Sequence, residues 1–322
     1  MADGAASIGI VAIGRNEGER LVRCLASIPA GVPTVYVDSA STDGSPEKAR
    51  AAGATVLALD MARPFTAARA RAEGVAVLFE RYPATDFVMF VDGDCEIEAG
   101  WLTTATDFLT ANADFAAVCG RRRERFPEAS FYNALADYEW SQPAGEAEAC
   151  GGDAMMRSSA YQAVGGFDPK MIAGEEPELC GRLRSAKWRI MRLDAPMTIH
   201  DAATFRFGQW WKRGVRSGFG YAQAWRVTRA QGQPLYGREL SRAFGWGAIL
   251  PLVSIVGAVA VHPLAILLWP GLNLVQIVRW SPRVGVRHAM LATVAHFAEL
   301  AGALRYMWRA MQGDAGGTLV YK

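Results

Sequence analysis

"FVMFVDGDCEIEAGWL" (Phe87 to Leu102) runs five apolar residues straight into Asp92-Gly93-Asp94. A continuous apolar run without polar alternation is what a strand buried on both faces requires. The two carboxylates at its mouth repel one another unless a cation offsets them. Asp-Gly is also a common turn dipeptide, so the stretch by itself suits a plain turn equally well.

The upstream sequence repeats one pattern. "IGIVAI" (Ile8 to Ile13) reads as a buried strand, and Leu21, Cys24, Leu25 and Ile28 then share one helical face. "TVYV" (Thr34 to Val37) is a second strand, followed by a helix that Ser45-Pro46 opens and that runs through Ala52. "ATVLAL" (Ala54 to Leu59) is a third, and Val75, Leu78, Phe79 and Tyr82 restore helical spacing before Phe87. Apolar strands alternating with amphipathic helices predict an α/β fold with a mostly parallel sheet covered on both faces. Ligands bind such sheets beyond the carboxyl ends of the strands. Gly14-Arg15-Asn16-Glu17, Asp38-Ser39 and Asp92-Gly93-Asp94 all fall there and are expected to meet. Glu175-Glu176 opening a later helix and His200 closing a later strand add to the acidic and metal-ligating groups, for which a divalent metal is the simplest counter-charge. "FAAVC" (Phe115 to Cys119), "DAMMR" (Asp153 to Arg157) and "WRIMRL" (Trp188 to Leu193) read as further strands, and "RRRERF" (Arg121 to Phe126) as a solvated loop.

The net charge of +2 conceals an asymmetry: residues 1–201 hold 20 Lys/Arg against 29 Asp/Glu, and residues 202–322 hold 14 against 3. A basic tail of this kind suits an anionic lipid surface. Ala243 to Val278 contains no Asp, Glu, Lys or Arg over 36 residues. As helix it spans about 54 Å, more than one bilayer crossing and less than two with a turn. Arg238 and Arg242 before it and Arg279, Arg283 and Arg287 after it place both ends on the cytoplasmic side, so a re-entrant or shallow hairpin is expected. Its other reading is a buried helical hairpin of a soluble domain. The five scattered cysteines form no CxxC pair, which points to a reducing compartment, and "MADGAASIGIVAIGRNE" has no basic segment of a secretory signal. No GxGxxG follows the first strand, which disfavours a Rossmann dehydrogenase, and no GxxxxGK[ST] exists, which removes a P-loop ATPase.

Over about residues 8–201 the sequence resembles glycosyltransferase family 2, the inverting nucleotide-sugar transferases of the GT-A fold. "IGIVAIGRNEGERLVRCLASI" is similar to the family's opening strand and helix, and "VYVDSASTDGS" to its second motif, with Asp38-Ser39 where the family often has two aspartates. "ARARAEG" (Ala68 to Gly74) resembles its basic segment, "FVDGDCEIEAGWL" its DxD motif, "CGGDAMMRSSAYQAVGGFDP" its acceptor-side segment and "GEEPELCGRLR" the acidic motif that supplies the base. The resemblance implies a GT-A domain over residues 1–204, a Rossmann-like, mostly parallel sheet. A basic, aromatic interfacial segment is expected over 205–242 and membrane-associated helices over 243–322. It implies nucleotide-sugar contacts from Arg15, Asn16, Glu17, Asp38, Arg69, Asp92 and Gly93. Mn2+ or Mg2+ would sit on Asp94 and Asp92, with His200 completing the coordination or simply hydrogen-bonded at its strand end. Catalysis falls to Glu176 or Glu175, with Glu176 preferred by alignment. Gly152 and Asp153 are expected on the acceptor side. So are Trp210 and Arg213, which resemble, at different spacing, an acceptor-channel motif of processive relatives.

The chemistry accounts for these residue types. Breaking a sugar–phosphate bond leaves a nucleoside diphosphate whose developing charge needs a Lewis acid, and an acceptor hydroxyl needs a base. The expected activity is inverting transfer from a nucleotide-diphospho-sugar, a UDP-sugar foremost, to a hydroxyl of a lipid-linked or polysaccharide acceptor at the cytoplasmic face of a membrane. The alternatives are a nucleotidyltransferase and an inactive membrane-anchored nucleotide- or glycan-binding protein. "FRFGQWWKRGVRSGFGYAQAWRV" (Phe205 to Val227) has the aromatics and cations of an interfacial helix, and the apolar run beside it favours lipid over nucleic acid as the partner.

Overall fold

The computed structural model describes residues 6–230, 232 and 234–313. They divide into two compact units, Met1–Phe205 and Arg206–Lys322. The expected segments 205–242 and 243–322 both fall, but for Phe205, within the second.

The first unit is built on nine strands: β1 (Ile8–Gly14), β2 (Thr34–Asp38), β3 (Thr55–Ala58), β4 (Phe87–Asp92), β5 (Cys95–Ile97), β6 (Phe115–Glu124), β7 (Gly145–Glu146), β8 (Ala154–Arg157) and β9 (Arg189–His200). They form one sheet in the order β3-β2-β1-β4-β8-β6-β9-β5, with β7 added on β9. β1 pairs in parallel with β2 and β4, β2 with β3, and β6 with β9; β8 runs against β4 and β6, and β5 and β7 run against β9. Ile10, Val11, Ala12, Val88, Met89 and Val91 on the two central strands are inaccessible, as unalternated apolar runs require.

Helices α1 (Glu19–Ala26), α2 (Ser45–Ala51), α3 (Ala67–Arg81), α4 (Trp101–Ala111), α5 (Phe131–Trp140), α6 (Ser158–Ala163) and α7 (Glu175–Ser185) complete the unit. Leu21, Cys24 and Leu25 form the buried face of α1. Thr66 caps α3 by accepting from the amide of Arg69 at 3.0 Å. The backbone of α3 lies so close to the sheet that a Cβ on Gly74 would stand 2.6 Å from Val11 Cγ1 and 2.7 Å from Val37 Cγ2.

Two strands run longer than their apolar cores suggest. β6 continues through Arg121–Glu124, so this stretch is strand and not the expected solvated loop, and β9 continues to His200. Charged residues extend a strand here because they alternate: Arg121 pairs with Asp194 and Arg123 with Asp137, whereas Glu124 is buried.

The second unit contains α8 (Phe207–Ala230), α9 (Gly237–Phe244), α10 (Leu250–Ala260), α11 (Leu268–Val284) and α12 (Val286–Met311). A π-helical turn at Gly245–Ile249 joins α9 to α10, giving one helix of 24 residues, and Pro263–Val284 is a second of 22. At about 1.5 Å per residue both are long enough, and apolar enough, to cross a bilayer. Each recruits residues outside the charge-free run, Gly237–Arg242 at one end and Arg279–Val284 at the other. The run counted alone therefore falls short of two crossings while the helices do not. Most of their apolar side chains are exposed, with Val259 at 86%.

α8 and α12 meet backbone to backbone. A Cβ on Gly218 would stand 1.9 Å from the carbonyl oxygen of Glu299, and one on Gly302 1.9 Å from that of Val215. Small residues permit this approach, and any larger side chain forces the helices apart. Gly218→Ala and Gly302→Ala are each expected to cost about 1–3 kcal/mol of stability in detergent. Gly271→Ala on α11, which meets nothing within 4 Å, should stay within about 0.5 kcal/mol of the parent in the same thermal melts.

Candidate active site

β1, β2, β4, β6 and β9 all end on one edge of the sheet, and the polar groups follow from that register. Gly14 lies beside Asp38, and Ile13 beside Asp92. His200 lies between Cys95 of β5 and Glu124 of β6. Antiparallel β8 begins where β4 ends, so Asp153 reaches back and accepts the amide of Asp92 at 3.1 Å.

The centre is an ion cluster. Arg71 on α3 is buried and donates to Asp92 Oδ1 at 2.6 Å and to Glu175 Oε1 at 2.8 Å. Arg122 donates through Nε to Asp153 Oδ2 at 2.9 Å and lies 3.5 Å from Asp92 Oδ2; Thr198 adds a hydroxyl to Asp153 at 2.8 Å. Burial opposes the charge on Arg71, but Asp92 and Glu175 outweigh it and raise its pKa further, so the guanidinium stays ionised. Three carboxylates face two guanidiniums, which leaves an excess of negative charge at the strand ends. A Cβ on Gly152 would stand 3.1 Å from Arg71 Nη2 and 3.2 Å from Asp92 Oδ2, so the Gly152 backbone lies directly against the cluster.

Asp94 forms a second grouping. Its Oδ1 is 3.5 Å from His200 Nε2, and Asp94, Cys95 and His200 present ligand atoms all within 4.8 Å of one another. Behind the histidine, Nδ1 lies 3.7 Å from Glu124 Oε2, and the Trp140 ring packs edge-on at 4.6 Å. A carboxylate behind one imidazole nitrogen fixes the ring and leaves the other free to ligate. Burial works against the charge on Glu124, yet His200 and the amides of Ala202 and Phe126 hold its carboxyl below the ordinary range. The donor set of carboxylate, imidazole and thiol suits a divalent cation.

The residues expected on the nucleotide side line the ends of β1 and β2. Asn16 takes a left-handed conformation (φ 56°), donates its amide to Ser41 Oγ and accepts from the Thr42 amide, both at 2.8 Å. Asp38 is buried and accepts from Tyr36 Oη at 3.2 Å and the Ser41 amide at 2.9 Å. Arg15 stacks on Phe65 at 4.8 Å, and Glu17 pairs with Arg20 at 2.7 Å. Gly93 donates to the Ile13 carbonyl at 2.7 Å, locking the DxD turn onto β1.

Arg69 departs from its expected position. Its guanidinium binds Glu73 at 2.7 Å and the carbonyls of Asp60 and Arg63 at 2.8 and 3.0 Å, so it braces the 60–64 loop while Arg71 reaches Asp92 and Glu175. The two project from different helix faces because they are two residues apart. Glu175 joins the ion cluster. Glu176 turns away: its Oε1 accepts the Cys150 amide at 2.6 Å and lies 3.0 and 2.9 Å from the thiols of Cys150 and Cys180. Trp210 and Arg213 lie on α8 in the second unit, where Trp210 packs 5.5 Å from Phe207.

A family profile for glycosyl transferase family 2 matches residues 8–164, the stretch that carries β1 through β8 and the DxD turn. Residues 8–164 form a glycosyl transferase family 2 domain. The family 2 enzyme shares the GT-A fold of solved glycosyltransferases. A mannosyltransferase from Pyrobaculum calidifontis in complex with GDP-Man and Mn2+ superposes with a TM-score of 0.64 at 19% identity, covering 94% of this chain and 90% of that one. GalNAc-T7 with UDP, GalNAc and Mn2+ gives 0.51 at 10% identity, covering 77% and 52%. No curated protein sequence matches this glycosyltransferase significantly.

Asp137 on α5 accepts both Arg123 nitrogens at 2.8 and 2.9 Å and the Glu124 amide at 2.8 Å, and so holds the end of β6 beside His200. Burial would raise its carboxyl, but Arg123 and that amide lower it below the ordinary 3.8. A depressed carboxyl stabilises the fold above its unfolded pKa and loses that contribution as pH falls through the folded value. Asp137→Asn should therefore lower the melting temperature at pH 7, and the gap to the parent should close below about pH 3.8.

Proposed function

We propose that the chain transfers a sugar, with inversion, from a nucleotide-diphospho-sugar to a hydroxyl of a lipid-linked or growing glycan at the cytoplasmic face of a membrane. The observation that carries the reading is the Asp94–His200 pair beside the Arg71–Asp92–Glu175 cluster at the carboxyl ends of β4 and β9. Asp94 and His200, with Asp92 alongside, would hold Mn2+ or Mg2+; such a cation supplies a Lewis acid for the leaving diphosphate. The two neighbours of like fold carry Mn2+ with GDP-Man and with UDP, so the donor is a UDP- or GDP-sugar, the former preferred. Asn16 and Asp38 shape the nucleoside side, and Arg71 holds Asp92 in one orientation.

The base comes from the Glu175–Glu176 pair. Glu175 is favoured by position, because its carboxylate stands in the same cluster as Asp92, whereas Glu176 holds the Cys150 amide. With one base opposite the leaving group, a single displacement inverts the anomeric carbon.

The membrane reading rests on the two exposed apolar helices and on an apolar cavity of about 750 Å³ within the second unit, lined by Trp225, Arg226, Leu240, Phe244, Tyr306 and Met307. A cavity of this size and lining suits the hydrocarbon end of a lipid-linked acceptor.

Release of nucleoside diphosphate from UDP- and GDP-sugars in detergent measures the activity. Asp94→Asn is expected to lower it about 100-fold or more, with weaker Mn2+ binding. Glu175→Gln should lower turnover by about 10²–10⁴-fold and leave donor affinity within a few-fold. Glu176→Gln, whose amide oxygen still accepts from Cys150, should lose less. The reverse order would move the base to Glu176, and normal turnover in Asp94→Asn would end the metal assignment.

A further inference from the structure

Beneath α7 lies a buried group that the transfer reaction leaves unexplained. Cys150 Sγ and Cys180 Sγ are 3.6 Å apart, and each faces Glu176 Oε1, at 3.0 and 2.9 Å. All three residues are buried, and their ligand atoms fall within 4.8 Å of one another. Glu176 and Cys180 stand at i and i+4 on one face of α7, and Cys150 comes from the turn that leads into β8. Burial pushes the Cys180 thiol up to about 11, so at neutral pH it is a protonated donor.

We propose that Cys150, Cys180 and Glu176 are a binding site for one thiophilic divalent cation of the Zn2+ class, separate from the Asp94 centre. A tetrahedral zinc ion with Zn–S of about 2.3 Å and Zn–O of about 2.1 Å holds two sulfurs about 3.8 Å apart and sulfur and oxygen about 3.6 Å apart. The sulfurs, 3.6 Å apart, are within about 0.2 Å of that spacing, and the carboxylate has about 0.6–0.7 Å to yield. Binding breaks two S–H bonds and releases both protons to solvent, while two S–metal bonds and one O–metal bond replace the thiol contacts to Glu176. Two sulfurs select soft cations, whereas the Asp94 group offers one sulfur with oxygen and nitrogen, so the two sites differ in preference. The bound ion would clamp the Cys150–Gly152 turn to α7 and so fix the glycine backbone that lies against Arg71 and Asp92.

The test uses the full chain carrying Cys95→Ala, which removes sulfur from the Asp94 group, titrated with Cd2+ in a non-thiol reductant. One equivalent is expected to give the ultraviolet sulfur-to-cadmium charge-transfer band and to raise the melting temperature. Cys150→Ser and Cys180→Ser should each weaken the band and reduce affinity about tenfold or more, as should Glu176→Gln, which keeps every thiol. Cys24→Ala, a buried cysteine elsewhere, should change neither. The absence of a band at one equivalent, or a band that survives the Cys150→Ser/Cys180→Ser double substitution, overturns the site. Either result leaves the transferase reading intact, because that reading is decided by Mn2+ and Asp94→Asn.

Discussion

Two guanidiniums enclosed by protein set the terms for the first unit. Arg71 and Arg122 would be costly to bury alone, and Asp92, Asp153 and Glu175 are placed so that each charge has partners. Those five residues come from α3, from β4 and β6, from the turn before β8 and from α7. The cluster therefore fastens five segments at one sheet edge, and removing one member would leave another charge buried and uncompensated. Rigidity and chemistry coincide here: the interactions that close the fold also hold Asp92 beside the DxD turn.

The parallel half of the sheet was legible because its strands are buried on both faces and carry unbroken apolar runs. The Asp38 and Asp92-Gly93-Asp94 groups follow from the same rule, since strand ends collect ligands. Arg122 was not legible in this way, because a run of arginines reads as solvated until its period of two is counted. Arg121 and Arg123 point outward to Asp194 and Asp137 while Arg122 points in, and that alternation was the available signal. Arg71 escaped notice for a related reason. "ARARAEG" offers two arginines to one site, and only the helix phase says which of them faces it. The pairing of Glu124 with His200 depends on β6 and β9 being parallel neighbours, a long-range register that no local pattern encodes.

The apolar and basic character of the second unit is plain in the sequence, whereas the length of its helices is not. A window bounded by charges measures the charge-free stretch and not the helix, which continues through the flanking arginines. The glycine contact between α8 and α12 carries no hydrophobic signature and becomes visible only when the two backbones are brought together.

That contact has a consequence for biogenesis. α8 leaves the ribosome long before α12, and α9, α10 and α11 lie between them. The Gly218 surface of α8 stays without its Glu299 counterpart until α12 has been made, so this contact closes only then. A nascent chain stopped short of Val286 would carry a helix with no surface to close against.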